Sequence, residues 1–263
     1  MIEVQNIKKS FEEDGHRREV LHGISATFYD GKTNLIIGQS GSGKTVLVKN
    51  IVGLFKPDEG HVLYDGRDIT VMDARQLKEL RKEIGMLFQG SALFDSETVL
   101  GNVMFPLMMF SGMSDEEQRE RAQFCIDRVN LTGSEAKYPS ELSGGMQKRA
   151  AIARAIALNP KYLFCDEPNS GLDPKTSIVI DELLSDITHE YGITTIINTH
   201  DMNSVMGIGE NIIFVNKGHL GWVGNKDEIY NVDNDDLNNF VYATDLFRDV
   251  RKYRLVHGYN PGK

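Results

Sequence analysis

Eight consecutive residues near the start of the chain have the spacing of a phosphate-binding loop. They are Gly38-Gln39-Ser40-Gly41-Ser42-Gly43-Lys44-Thr45, which match G-x-x-x-x-G-K-[ST]. Glycines allow the backbone to wrap closely round a phosphate, and the N–H groups at the start of a following helix face the same anion. We expect Lys44 to reach the β- and γ-phosphates, the Thr45 hydroxyl to bind Mg²⁺, and the nucleotide-binding residues to extend to Val46. A glycine-rich turn without a ligand is the alternative, and the loop alone does not choose among the protein classes that use it.

Two adjacent carboxylates end an apolar run much later in the chain. The run covers residues 162–165, and Asp166 and Glu167 follow it. The carboxyl ends of buried parallel strands face the ligand crevice in α/β sheets. We expect Asp166 to bind Mg²⁺, directly or through water, and Glu167 to polarise an attacking water as general base. Any buried strand can end in acids, so this pair carries weight only beside the phosphate loop.

The elements that would position these residues alternate between strands and helices. Strands are predicted at 2–11, 20–28, 33–37, 61–64, 83–88, 162–165, 194–198 and 211–215, with a polar hairpin loop at 12–19. Helices are predicted at 44–52 and around 180–187, and the pattern is mostly helical from about 90 to 157. Ser114 followed by three acids marks one helix start in that region. This order predicts an α/β fold with a parallel sheet, interrupted by a helical insert.

The run Leu142-Ser143-Gly144-Gly145-Met146-Gln147 narrows the class. Here the sequence resembles the ABC ATPase family, whose signature is LSGGQ; Met146 stands at the fifth position and Gln147 follows it. A Ser-Gly-Gly turn at a helix N-terminus presents a hydroxyl and N–H groups to a phosphate. A plain capped helix start is the alternative for this motif taken alone.

Other motifs of the family occur in the expected order. Gln89 matches the Q-loop, residues 170–173 match the D-loop with Asp173 at its end, and His200 matches the switch histidine. Phe11 lies where the family places an aromatic ring against adenine, although Tyr is commoner there. Taken singly, each has a simpler explanation: Gln89 could be a surface glutamine and Asp173 a helix cap. His200 could merely begin a helix, and Phe11 could belong to the core. Their order favours the family, and the resemblance covers roughly residues 1–230.

The resemblance implies the ABC ATPase fold. This is a P-loop NTPase (RecA-like) core with an antiparallel β subdomain, over 1–89 and 158–235. A helical subdomain over 90–157 carries the signature, and a C-terminal helical extension or tail covers 236–263.

The resemblance also implies a mechanism. It is a head-to-tail homodimer that sandwiches ATP and Mg²⁺, with ATP on the Lys44 loop of one subunit capped by Ser143, Gly144 and Gly145 of the other. His200 would contact the γ-phosphate. Gln89 would bind the metal and link it to the helical insert.

The resemblance extends to a transport partner. Residues 87–96 with Val99, Asn102 and Val103, together with residues 138–146 and 170–174, look most like the MlaF-type ATPases of Mla/Mce systems. Those systems move phospholipid between the membranes of double-membraned bacteria and maintain outer-membrane lipid asymmetry. This implies an MlaE-like permease and an MCE-domain protein as partners, with Val103–Met113 as a candidate permease contact. Ordinary subdomain core is the alternative for that segment. The alternative functions are the ATPase of an importer for a small polar solute, such as an amino acid, and a non-transport ABC ATPase.

The composition and a few sequence features limit the kinds of partner and the cellular location that we expect. A formal net charge of -9 and a pI near 5.3 argue against a nucleic-acid partner. The longest apolar stretch is too short to span a membrane, no signal peptide is visible, and Cys125 and Cys165 show no metal spacing. We therefore expect a peripheral protein at the cytoplasmic face of the inner membrane, held there through its permease. Arg248, Arg251, Lys252 and Arg254 near the end of the chain are expected to form a solvated helix face, with dimer or membrane contact as the alternative.

Overall fold

The computed structural model describes residues 1–13, 15–243, 247–249, 251 and 253. Its strands are β1 (Ile2–Glu13), β2 (His16–Phe28), β3 (Thr33–Ile37), β4 (Glu59–Tyr64), β5 (Arg67–Asp68), β6 (Ile84–Leu87), β7 (Tyr162–Asp166), β8 (Thr194–Asn198), β9 (Asn211–Asn216) and β10 (His219–Gly224). Its α-helices are α1 (Lys44–Ile51), α2 (Ala74–Lys82), α3 (Val99–Phe110), α4 (Asp115–Arg128), α5 (Gly144–Ile156), α6 (Pro174–Tyr191), α7 (Met202–Ile208) and α8 (Asp235–Val241). Short 3-10 turns lie at Pro139–Glu141 and Glu228–Asn231.

The chain forms two compact units, and the first contains residues 2–27, 34–70 and the described residues from 199 onward. One sheet of this unit has the order β2-β1-β4-β5, with β1 antiparallel to β4. A second group of strands pairs β9 with β3 in parallel and with β10 in antiparallel. The buried strand β3 leads directly into the phosphate loop and α1.

The second unit contains Met1, residues 28–33 and residues 71–198. Its strands β6, β7 and β8 are parallel and adjacent in that order. Helices α3, α4 and α5 pack on one another, and α5 also contacts β6 and α6. Gly85 of β6 allows this approach, because a Cβ there would lie 2.4 Å from the Ala155 carbonyl oxygen. The helix that begins at the signature motif is therefore packed against the strand that precedes Gln89.

Most predicted elements are confirmed, with local differences. Strands 33–37 and 194–198 have the predicted bounds, and Ser114 forms a capping box with Glu117 at the start of α4. The hairpin loop predicted at 12–19 is wrong in length, because β1 reaches Glu13 and β2 begins at His16. An antiparallel ladder forms through backbone hydrogen bonds and can continue with polar side chains in water. Helix α2 and strand β10 were not predicted.

The C-terminal segment predicted at 236–263 starts with the short helix α8. Arg248 Nε donates to the Tyr242 carbonyl oxygen at 2.8 Å, and the Arg251 guanidinium lies 4.7 Å from the centre of the Tyr242 ring. Lys252 and Arg254 lie outside the described residues. Within the described residues, no helix is both long and apolar enough to cross a bilayer.

A bulge in β1 gives a stability prediction for Gly60. Its φ is +93°, and a Cβ there would lie 2.3 Å from the Asn6 carbonyl oxygen and 2.4 Å from that of Gln5. We expect Gly60→Ala to lower the free energy of unfolding by more than about 2 kcal/mol, because main-chain atoms must move. Gly66→Ala is the matched control, since Gly66 has a φ of +77° with nothing within 4 Å of the added Cβ. Urea denaturation should show a smaller loss for the control; equal losses would contradict the steric account.

Candidate functional site

The phosphate loop has a backbone that only glycine allows at its first position. Gly38 has a φ of +149°, and a Cβ there would lie 2.2 Å from the Val215 carbonyl oxygen. Gly43 has a φ of +105°, and its Cβ would lie 3.0 Å from the Leu21 side chain. The loop is therefore packed closely against its neighbours at Gly38 and Gly43, whereas a Cβ at Gly41 would meet no described atom within 4 Å.

Two polar side chains of the loop, Lys44 and Ser42, are buried. Lys44 is only 7% exposed, and its Nζ donates to the carbonyl oxygens of Gly38 at 2.8 Å and Gln39 at 3.1 Å. The buried Ser42 hydroxyl has no hydrogen-bond partner among the described residues. Thr45 is exposed at the first turn of α1 and Val46 is partly buried beside it. A buried ammonium and an unpaired buried hydroxyl fit an anion such as a phosphate.

His200 belongs to the same unit as the phosphate loop. The Thr199 N–H donates to the Ile36 carbonyl oxygen at 3.1 Å, so the segment passes beside the end of β3. His200 follows at an exposed position just before α7. His200 and the phosphate loop are therefore in the same unit, and the contact of His200 with the γ-phosphate stays a prediction.

Phe11 also lies in this first unit. Its ring makes an edge contact with Phe55, with centroids 5.4 Å apart, and Lys9 Nζ lies 5.5 Å from its centre. Phe11 is only partly buried. One side of the ring is thus packed, as the core alternative requires, while part of it remains open to solvent.

The acidic pair ends β7 in the second unit. Asp166 Oδ1 accepts a hydrogen bond of 2.6 Å from the Asn198 side chain, and the Glu167 N–H donates to the Asn198 carbonyl oxygen at 2.8 Å. Glu167 has a φ of +48°, which is unusual for a residue other than glycine. Asn198 was not predicted as a site residue. Its position at the end of β8, in register with Asp166, could have indicated it.

Gln89 follows β6 and is held from two sides. Its Nε2 donates to the Ser170 hydroxyl at 3.2 Å, and its carbonyl oxygen accepts from Lys148 Nζ. Burial lowers the pKa of Lys148, and the negative charges of the Asp166 and Glu167 carboxylates oppose this shift. Lys148 was also not predicted, because nothing in the sequence marks it as buried.

The signature turn is exposed and also caps a helix. Ser143 is the N-cap of α5, and its Oγ accepts from the Met146 N–H at 3.3 Å. Ser143 and Gly144 are exposed, whereas a Cβ at Gly145 would lie 2.6 Å from Thr176 Cγ2. The plain-cap alternative therefore describes the local geometry, and the exposed turn remains available to a ligand outside this unit.

Asp173 caps α6 as the simple alternative predicts. Its Oδ1 accepts from the N–H groups of Lys175 and Thr176, and its Oδ2 from the Thr176 hydroxyl. These hydrogen bonds, the Thr176 hydroxyl above all, lower the pKa of the Asp173 carboxyl. Asp173 is thus an ionised group fixed at the end of the D-loop segment.

The site residues fall into the two units as follows. The first unit holds Phe11, Gly38, Gln39, Ser40, Gly41, Ser42, Gly43, Lys44, Thr45, Val46 and His200. The second holds Gln89, Ser143, Gly144, Gly145, Asp166, Glu167 and Asp173.

Comparison with known proteins decides the family. The model of the ABC transporter family matches residues 21–170, more than half of the chain. The chain belongs to the ABC transporter family. It is an ABC cassette ATPase with the ABC ATPase fold: a P-loop NTPase core, an antiparallel β subdomain and helical parts.

Relatives carry names of import and transport ATPases. The chain is 37% identical to methionine import ATP-binding protein MetN 2 of Pseudomonas entomophila, over 88% of this chain and 69% of that protein. It is 36% identical to the probable ribonucleotide transport ATP-binding protein mkl of Mycobacterium leprae, over 91% and 68%. Among solved structures, the ATP-binding cassette MJ0796, in a dimeric post-hydrolysis state bound to ADP and Pi, has a TM-score of 0.78. That cassette is 34% identical, over 86% of this chain and 99% of its own.

Proposed function

We propose that this ABC ATPase dimerises on ATP and drives a separate membrane permease. The observation that carries the proposal is the exposed Ser143-Gly144 turn at the start of α5, in a chain that also has a complete phosphate loop. The dimeric state of the MJ0796 cassette with ADP and Pi supports it. ATP bound at Lys44 of one subunit would be capped by the Ser143-Gly144-Gly145 turn of the other.

The residues of each unit would have separate tasks in hydrolysis. In the first unit, Lys44 and the loop N–H groups hold the β- and γ-phosphates, and His200 contacts the γ-phosphate. In the second unit, Glu167 orients the attacking water and accepts its proton. Asp173 would support nucleotide binding from the end of the D-loop, and Phe11 would contact adenine.

Mg²⁺ fits the oxygen donors that these motifs offer. The Thr45 hydroxyl, the Asp166 carboxylate and the Gln89 side-chain carbonyl are hard ligands of the kind that Mg²⁺ prefers, together with phosphate oxygens and water. The 2.6 Å hydrogen bond from Asn198 fixes the Asp166 carboxylate, as expected for a ligand that must hold its orientation. When bound, the metal would neutralise developing charge on the phosphates.

Helix α3 would dock the permease. Large apolar side chains at Phe105, Met108, Met109 and Phe110 are exposed, Met108 to 63%, while Val103 and Leu107 of the same helix are buried. A contiguous exposed apolar surface marks an interaction site, and methionine adapts to a partner's shape. The core alternative for Val103–Met113 thus applies to its buried face only.

We expect Met109→Asp to abolish co-purification of the permease. The new carboxylate would lose its hydration in the contact with the permease. The check is pull-down of the tagged ATPase from membranes, with the isolated variant's ATPase activity unchanged. Val71→Asp is the matched control, because Val71 is apolar, 75% exposed and outside α3. Recovery of the permease with Met109→Asp would contradict this docking surface.

For the cargo, we propose phospholipid transport of the Mla/Mce type, with an MlaE-like permease and an MCE-domain protein. The support is the resemblance to MlaF-type ATPases of residues 87–96 with Val99, Asn102 and Val103, and of residues 138–146 and 170–174. The ATPase would then be peripheral at the cytoplasmic face of the inner membrane. The name of the methionine import relative favours a second candidate, an importer for a small polar solute.

Purification of the ATPase together with its permease allows the two candidate cargoes to be distinguished. ATPase activity of the purified complex should rise with phospholipid vesicles and stay constant with methionine if the cargo is lipid. Recovery of a periplasmic solute-binding protein with the complex, and stimulation by its solute, would overturn the phospholipid proposal and leave the ATPase assignment intact.

A further inference from the structure

Helix α5 holds the loop after β6 by its main chain. Lys148 Nζ donates to the Gln89 carbonyl oxygen. Six residues further along the helix, Arg154 donates to the carbonyl oxygens of Ser91 at 2.8 Å and Ala92 at 2.7 Å. Three hydrogen bonds from side chains of α5 to main-chain carbonyl oxygens therefore fix residues 89–92 to this helix. They do not involve the side chains of residues 89–92.

The held loop has an uncommon backbone conformation. Ser91 and Ala92 are adjacent, neither is glycine, and their φ values are +62° and +49°. Such conformations cost free energy and persist only where neighbouring groups enforce them. The Arg154 guanidinium does this, because both carbonyl oxygens that it binds belong to the two unusual residues. The turn is closed locally by the Ala92 N–H, which donates to the Gly90 carbonyl oxygen at 2.7 Å.

Burying the Lys148 side chain costs free energy that a side chain serving only to fill space would not need to cost. Its side chain is 4% exposed, and burying an ammonium is unfavourable unless polar partners compensate. A methionine would fill nearly the same volume without that cost. The partner found for the ammonium is the main-chain carbonyl oxygen of Gln89. This arrangement indicates a requirement for a donor at this point.

We propose that Lys148 is a positioning residue that fixes Gln89 for the metal and the attacking water, with Arg154 fixing the turn that follows. The inference rests on the proposed role of Gln89. It goes further, because α5 begins at Ser143-Gly144-Gly145. The helix that would contact the partner subunit's ATP is the one that holds Gln89. Engagement of the signature turn and placement of Gln89 are thus coupled through a single helix.

A double-mutant cycle on the full chain tests whether Lys148 acts through Gln89. We expect Lys148→Met to lower kcat about tenfold, with the KM for Mg-ATP within about twofold, because a small misplacement of a catalytic group costs rate. In a Gln89→Ala background, Lys148→Met should cause no further loss, since the group being positioned is gone. Independent, multiplying losses would mean that Lys148 does not act through Gln89 and would overturn the proposal. Lys161→Met, at an exposed lysine of the same unit, is the control and should behave as wild type.

Hydrogen exchange of the nucleotide-free protein gives a second readout. Amides of residues 90–92 should exchange faster in Lys148→Met and in Arg154→Met, whereas amides of β8 should be unchanged. Unchanged exchange at 90–92 would overturn the proposal. If Lys148→Met does not fold, the same measurements on Lys148→Gln apply. Wild-type kcat in Gln89→Ala would overturn both the role of Gln89 and its positioning, while leaving ATP binding by the phosphate loop unaffected.

Discussion

In a Glu167→Gln protein, ATP turnover is expected to fall at least about a hundredfold while ATP binding is retained. The amide keeps the shape of the side chain but cannot accept the proton of the attacking water. The backbone there should be undisturbed, because the Glu167 N–H donates to the Asn198 carbonyl oxygen regardless of the side chain. With hydrolysis blocked, the ATP-bound dimer should accumulate, since ATP joins the two subunits and is no longer lost.

Two measurements check this expectation. Phosphate release gives the rate, and size-exclusion chromatography with Mg-ATP shows the dimer. Glu182→Gln is the matched control, because Glu182 is an exposed carboxylate in the middle of α6 of the same unit. Wild-type turnover in Glu167→Gln would show that Glu167 is not the general base. Lost turnover without ATP-bound dimers would instead contradict a composite site, that is, an ATP site formed by the phosphate loop of one subunit and the signature turn of the other.

The sequence predicted the motifs because each depends on local chain chemistry. Glycines of the phosphate loop, the apolar run before Asp166 and the Ser114 capping box all act within a few residues, and the structure confirms these local features. The roles of the site residues remain predictions.

Contacts between distant segments could not be predicted in this way. Asn198 meets Asp166 only because β7 and β8 are adjacent in a fixed register. Lys148 meets Gln89 only because Gly85 lets α5 approach β6 closely. Helix α2 was missed although the sequence marks it, because Asp73 and Gln76 form a capping box at its start and Leu77 and Leu80 share one face.

The exposed signature turn leads to the second prediction, which concerns mixtures of two inactive variants. Lys44→Ala removes a phosphate contact from the loop and leaves the signature intact. Gly144→Asp leaves the loop intact and puts a carboxylate where a phosphate is expected. Among the described residues of its own chain, a Cβ at Gly144 meets only Leu172, at 3.5 Å, an ordinary contact, so the fold should survive.

Each variant alone should be inactive, because both composite sites of its dimer lack one half. A mixed dimer joins the intact loop of one subunit to the intact signature of the other, and so regains one complete site. Random pairing makes half of the dimers mixed, so activity should return to about a quarter of wild type. Single-turnover hydrolysis is the appropriate measurement, since cooperation between sites in later cycles does not enter. The matched control mixes the Lys44→Ala variant with a chain carrying both changes, where every phosphate loop is defective and no dimer has a complete site. If mixing the two single variants restores nothing beyond this control, Lys44 and Ser143 of different subunits do not share an ATP. A loop served by its own chain's signature turn would predict that result, because neither variant would then contain a complete site under any pairing.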